Sequence, residues 1–136
     1  MRVAFATTDG QEVNDHFGWA KMFVLYDVSR EGVTKAGKVT FSGEGLSENG
    51  NDDKLTGKIE ALAGCHIICC EAIGGVAAAR LTNRRMHPMV VRDESSITAI
   101  LNTLKGTLNG TPPPWIRKIT GAGDPGRFDR FEEDDD

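Results

Sequence analysis

The chain has 136 residues, 39% of them apolar and 26% charged, with a formal net charge of −4. That composition fits one ordinary globular domain with some loop or tail, and no apolar run is long enough to span a membrane. The net charge argues against a general nucleic-acid binder, and three cysteines, an odd number confined to residues 65–70, argue against a secreted disulfide scaffold and for a reducing cytoplasm.

Residues 2–7 form a short β-prone run, and Asp9-Gly10 then signals a turn. Residues 11–20 are polar and irregular and carry Asn14-Asp15-His16-Phe17-Gly18. Met22 to Val28 is almost continuously apolar, as in a strand covered on both faces. After the turn at Arg30-Glu31-Gly32, Val33 to Phe41 is patchier and reads as a hairpin partner at the sheet edge.

Residues 42–53 are rich in Gly, Asn and acid, and Asn51 or Asp52 is placed to cap the next helix. Leu55, Ile59 and Leu62 then follow helical spacing until Gly64. Residues 66–70 suit a central parallel strand. Gly74-Gly75 leads into a helix from Val76 to about Asn83, and His87 to Val91 reads as the last strand. Ser95 or Ser96 caps a third helix carrying Ile97, Ile100, Leu101 and Leu104, which Gly106 is expected to close. Beyond it, Pro112-Pro113-Pro114 ends regular structure. Trp115 to Ile119 is expected to dock on the body, and residues 127–136 form an acidic, disordered end. The domain reading is a body over 1–106 and an extended segment over 107–136.

The order β-β-β-α-β-α-β-α, with right-handed crossovers, predicts a mixed five-stranded sheet of order 3-2-1-4-5 with flanking helices. This α/β arrangement resembles the ribonuclease-H-like layer. Strands one and four then lie side by side, and a ligand is expected beyond their carboxyl ends. The loop after strand one brings Asp9, Asp15, His16 and Gly18 there; the loop after strand four brings Cys69, Cys70, Glu71, Gly74 and Gly75.

An imidazole beside a carboxylate can ligate iron, and a loop histidine can equally cap a turn; spacing alone leaves both readings of His16 open. The cysteines lack C-x-x-C spacing, and adjacent strand residues face opposite ways, so core packing is the default for the set. Cys70, nearest the strand end, is the one candidate ligand. Gly74-Gly75 leaves backbone N–H groups at a helix start, which suits an anion or close helix–sheet packing. Arg80, Arg84, Arg85, His87 and Arg92 make a basic stretch that is either a solvated face or an electropositive wall. His87, before a proline, reads as structural.

Two motifs carry a family resemblance. Val3-Ala4-Phe5-Ala6-Thr7-Thr8-Asp9-Gly10 followed by Asp15-His16-Phe17-Gly18 looks like the opening of the nitrogenase iron–molybdenum cofactor-binding accessory family, of NifX and NafY type. Ala72-Ile73-Gly74-Gly75-Val76-Ala77-Ala78-Ala79-Arg80, then His87-Pro88, resembles its second motif. The match covers about residues 1–105, and Pro113-Pro114-Trp115-Ile116-Arg117-Lys118 with the acidic end is most like the NifX type. Where the family has Gly-Gly-Pro-Ala, this chain has Gly74-Gly75-Val76-Ala77, which keeps the glycines and loses a rigid first turn.

The resemblance implies a non-enzymatic carrier. Such proteins bind the iron–molybdenum cofactor or its iron–sulfur precursor and pass it between assembly proteins. It implies cofactor binding by His16; from the residues, Asp15, Gly18, Gly74, Gly75 and Arg80 are expected around it, with glycine N–H groups and arginine stabilising negative charge. Cys70 is a possible second ligand from the residues rather than from the family. The expectation is reversible holding by few bonds, because four thiolates would release too slowly. Two rivals are a metal-dependent nuclease built on Asp9, Asp27 and Glu71, and a protein-binding scaffold without a cluster. The acidity belongs to the tail: residues 1–105 sum to −1 and residues 106–136 to −3. A nearly neutral body is compatible with an anionic ligand.

Overall fold

The computed structural model describes residues 1–41, 52–92 and 94–120. The elements in chain order are β1 (Arg2–Ala6), β2 (Met22–Val28), β3 (Val33–Thr40), α1 (Asp52–Ala61), β4 (Ile67–Cys70), α2 (Gly75–Asn83), β5 (His87–Val90), α3 (Ile97–Asn109) and α4 (Pro114–Thr120). The sheet order is β3-β2-β1-β4-β5. β1 pairs antiparallel with β2 and parallel with β4, and β4 pairs parallel with β5. The mixed α/β sheet is thus the one expected from the element order. Among the described residues no helix is long and apolar enough to cross a membrane.

Alternation along β1 and β4 feeds two cores, one on each face of the sheet. Ala4, Ala6, Ile68 and Cys70 pack with Leu55 and Ile59 of α1, Leu62 in the turn after it, and Leu81 of α2. Val3, Phe5, Ile67 and Cys69 pack with Ile97, Ile100, Leu101, Leu104 and Leu108 of α3. Each of those five aliphatics contributes roughly 1.5–3 kcal/mol by leaving water.

Ser96 caps α3, its side chain accepting from the Ala99 N–H at 3.2 Å. The helix does not close at Gly106 as its sequence suggests. It runs on to Asn109, because Leu108 extends the buried stripe and outweighs the cost of about 1 kcal/mol for an exposed mid-helix glycine. Packing also continues past residue 106 through α4. Ile116 is buried in the α3-side core, and the Trp115 ring stacks on His87 at 4.1 Å between centroids and 18° between planes. The capping role expected of Asn51 and the acidic end at 127–136 lie outside the described residues.

The end of α2 departs from the usual residue choice. Met86 N–H donates to the Leu81 carbonyl and Arg85 N–H to that of Thr82, both at 2.9 Å, which is the paired pattern that terminates helices. The residue between must take a left-handed backbone, and here it is Arg85 at φ +64 rather than glycine. Its side chain is exposed. Arg85→Gly is therefore expected to raise unfolding free energy by about 1 kcal/mol in urea titration. A loss of stability would show that the arginine makes a stabilising contact.

His66 precedes β4, and its Nδ1 accepts the Arg2 N–H at 2.9 Å, so the native imidazole is neutral. Burial, with the N-terminal ammonium and Arg2 nearby, pushes it below its ordinary value, and burial does the same to His87. The unfolded chain takes up these protons near pH 6.5 and the native state does so only at lower pH. Stability is therefore full above about pH 6.5 and falls as pH drops below it. Denaturant midpoints measured from pH 7.5 to 5.5 should decline over roughly that window; a flat profile would contradict the neutral His66.

Candidate functional site

The two loops beyond β1 and β4 meet at the carboxyl ends of those strands. His16 and Ala72 form a parallel bridge. Phe17 N–H donates to the Ala72 carbonyl at 2.9 Å, and Glu71 N–H to that of Asp15 at 2.9 Å. Loops more than fifty residues apart in sequence are thus joined by main-chain bonds. His16 is half-buried at this junction. The Asp15 carboxylate accepts the backbone N–H of His16 at 3.0 Å, so it shapes the turn rather than simply facing the imidazole. Upstream, Asp9 accepts from the Gln11 and Glu12 N–H groups, which hold its carboxyl below the usual range.

Lys58 of α1 fixes the turn from beneath. Its side chain is 2% exposed, and its ammonium donates to the carbonyls of Phe17 at 2.9 Å, Gly18 at 3.0 Å and Ala20 at 3.1 Å. The Nζ also lies 5.6 Å from the Phe17 ring centroid and 5.4 Å from that of Phe41. Burial pushes Lys58 down to about 8, with the Asp15 carboxylate pulling the other way, so the group remains charged at neutral pH. Residue-level reasoning missed this lysine. The available signal was its position, three residues after Leu55 and next to Ile59 on the inward stripe of α1.

The second loop enters α2 through Gly74, an extended N-cap with φ −75° and ψ 157° and no side-chain cap. A Cβ added at Gly74 or Gly75 would meet nothing within 4 Å, and neither has positive φ. The fold therefore does not require these glycines for close helix–sheet packing. Both glycines are exposed at the start of α2, whose first N–H groups carry partial positive charge.

One candidate ligand needs correction, and two open alternatives are narrowed. Cys70 is fully buried in the core with Ala6, Phe17 and Ile68, and burial pushes its thiol up to about 12. A thiol so placed is neither a thiolate nor accessible, so it does not join His16. Cys69 faces the opposite core, as strand alternation requires. The basic stretch is split: Arg92 follows the carboxyl end of β5, whereas Arg80 and Arg84 turn toward α1. Arg80 Nη1 donates across to Thr56 Oγ1 at 3.2 Å, Arg84 pairs with Glu60 at 3.0 Å, and Arg85 ends α2 at the far end of the sheet. Arg80 and Arg84 instead line a groove of about 180 Å³ between α1 and α2, with Thr56, Ile59 and Asn83. The nuclease set is dispersed. Asp27 is opposite Arg2 in the β1–β2 register and pairs with it at 2.9 Å, whereas Glu71 follows the other end of the sheet. A strand of five residues, about 13 Å, separates the two ends.

Among the described residues, no group of three or more His, Cys, Asp or Glu side chains could hold a metal ion. What converges is one imidazole, one uncapped helix start and one buried ammonium beneath the turn. Lys58→Met leaves three carbonyls short of a donor and is expected to cost roughly 2–4 kcal/mol. Hydrogen exchange at residues 17–20 should accelerate before exchange in β1. Unchanged stability and unchanged protection of the turn would show that Lys58 does not hold it.

Residues 1–106 match the family model described as "Dinitrogenase iron-molybdenum cofactor". The NifX protein of Herbaspirillum seropedicae is 42% identical, over 98% of this chain and 90% of that protein. A segment of the FeMo cofactor biosynthesis protein NifB of Sinorhizobium fredii is 33% identical, over 83% of this chain and 23% of that protein. The crystal structure of PH0822 superposes with a TM-score of 0.59 at 26% identity, covering 78% of this chain and 89% of that one. This chain belongs to the dinitrogenase iron–molybdenum cofactor family.

Proposed function

We propose that the protein binds and transiently carries the iron–molybdenum cofactor, or its iron–sulfur precursor, during nitrogenase cofactor assembly, without catalysing a reaction on it. The observation that carries this reading is the placement of His16. In a chain of this family, a half-buried imidazole sits on a turn pinned by Lys58 and bridged to the loop that opens α2. The likeness of one segment of a cofactor-biosynthesis protein to most of this chain supports the same process. The mixed β3-β2-β1-β4-β5 sheet is compatible with reading the fold as a ribonuclease-H-like layer.

Each residue has a defined part. His16 supplies a nitrogen donor to an iron of the cargo. Asp15 and Gly18 set the turn through a carboxylate acceptor and a carbonyl on Lys58. Gly74 and Gly75 let an anion approach the start of α2, where the helix dipole favours negative charge. The Lys58 ammonium adds a full positive charge beneath the turn. Arg80, on the α1 side of α2, contributes at longer range. One protein bond holds the cargo, and one bond must break for handover to the next assembly protein.

His16→Ala is expected to weaken anaerobic binding of isolated iron–molybdenum cofactor by at least about tenfold, or 1.4 kcal/mol, with an unchanged melting temperature. Gly75→Ala separates ligand from fold: helix stability should hold or rise by up to about 1 kcal/mol, while cofactor affinity falls. Wild-type affinity in both variants would contradict the proposed site.

A further inference from the structure

This inference rests on the carrier reading and concerns what surrounds the cargo besides His16. Among the described residues, Trp19 at 48% and Val76 at 66% exposure are the exposed large hydrophobic side chains. Scattered over a surface, such residues need no explanation. These two follow the two loops that one bridge joins. Trp19 is three residues from His16 and Val76 four from Ala72, and His16 and Ala72 are bridged.

The Trp19 backbone is also unusually constrained for a surface turn. Its N–H donates to the His16 carbonyl at 3.2 Å, and Lys58 holds the carbonyls of Gly18 and Ala20 on either side of it. A turn fixed in this way keeps the indole at the surface. Trp115 shows the other outcome, its ring covered by stacking on His87. Val76 occupies the first turn of α2, where a polar residue would serve the helix as well and an exposed β-branched side chain gains nothing from burial. The backbone just before it, at Gly74 and Gly75, borders open space.

We propose that Trp19 and Val76 form an apolar rim to the His16 site and contact the inorganic sulfides of the iron–sulfur cargo. Cluster sulfides are soft and polarisable, and sulfur packs favourably against aromatic rings and aliphatic groups. One coordinate bond then fixes position, and many weak contacts add affinity that is lost gradually during transfer.

The test is anaerobic titration of the full-length protein with isolated iron–molybdenum cofactor, comparing wild type with Trp19→Ala, Trp19→Phe, Val76→Ser and His16→Ala. Trp19→Ala and Val76→Ser should each weaken binding about tenfold at an unchanged melting temperature, and Trp19→Phe should retain most of the affinity. Unchanged affinity in Trp19→Ala and Val76→Ser, with binding weakened in His16→Ala, would overturn the rim and leave the carrier reading standing. Unchanged affinity with impaired transfer to an acceptor protein would assign the two side chains to partner docking and overturn the rim equally. No binding by the wild type would overturn the carrier reading, and the rim with it.

Discussion

The ammonium of Lys58 lies beneath the 16–20 turn and donates to three of its carbonyls, and the geometry around His16 depends on that arrangement. A buried charge is costly unless it is fully hydrogen-bonded. Here the three acceptors all come from one turn, so the requirement to satisfy the charge fixes that turn in place. The aromatic faces of Phe17 and Phe41 complete the enclosure. Phe17 in turn packs into the core with Cys70 and against Phe23, its ring centroid 5.7 Å away. The turn that presents His16 is thereby part of the hydrophobic core on one side and surface on the other.

This construction suits a protein that must hold and then release a cargo. Binding groups placed on rigid elements spend little free energy on ordering when the ligand arrives. The second loop is held by the same logic, through main-chain bonds from Phe17 to Ala72 and from Glu71 to Asp15. The start of α2 and the Lys58 ammonium both place positive charge at this end of the sheet. Arg84 is engaged by Glu60, and Arg85 is directed to the opposite end of the sheet by the way α2 terminates. The cysteines, despite their clustering in sequence, serve the two cores.

Much of the fold was legible because its determinants are local and periodic. The apolar run Met22–Val28 marks β2, and the i, i+3, i+4 stripe from Ile97 marks α3. The element order constrains the sheet to one simple arrangement. Juxtaposition of the His16 and Gly74 loops followed from that topology. What local reading missed was set by distant partners. Lys58 finds its acceptors about forty residues earlier in the chain. Cys70 sits at the end of β4, where exposure looked plausible until Phe17 packed over the same core. The arginine run is compatible in sequence with a solvated face or a wall; helix geometry sends Arg80 and Arg84 toward α1, and a left-handed residue redirects Arg85. Gly106 was read as a stop because Leu108, one further turn along, was not counted in the stripe.

In the proposed site one imidazole, His16, bonds the cargo. Pulsed electron paramagnetic resonance of the cluster-loaded protein, prepared with isotopically labelled histidine, measures this directly. Nitrogen coupling from a single imidazole is expected, and it should disappear in the His16→Ala protein loaded at saturating cluster. A loaded wild-type protein with no histidine nitrogen coupling, or with coupling that survives in His16→Ala, would contradict it.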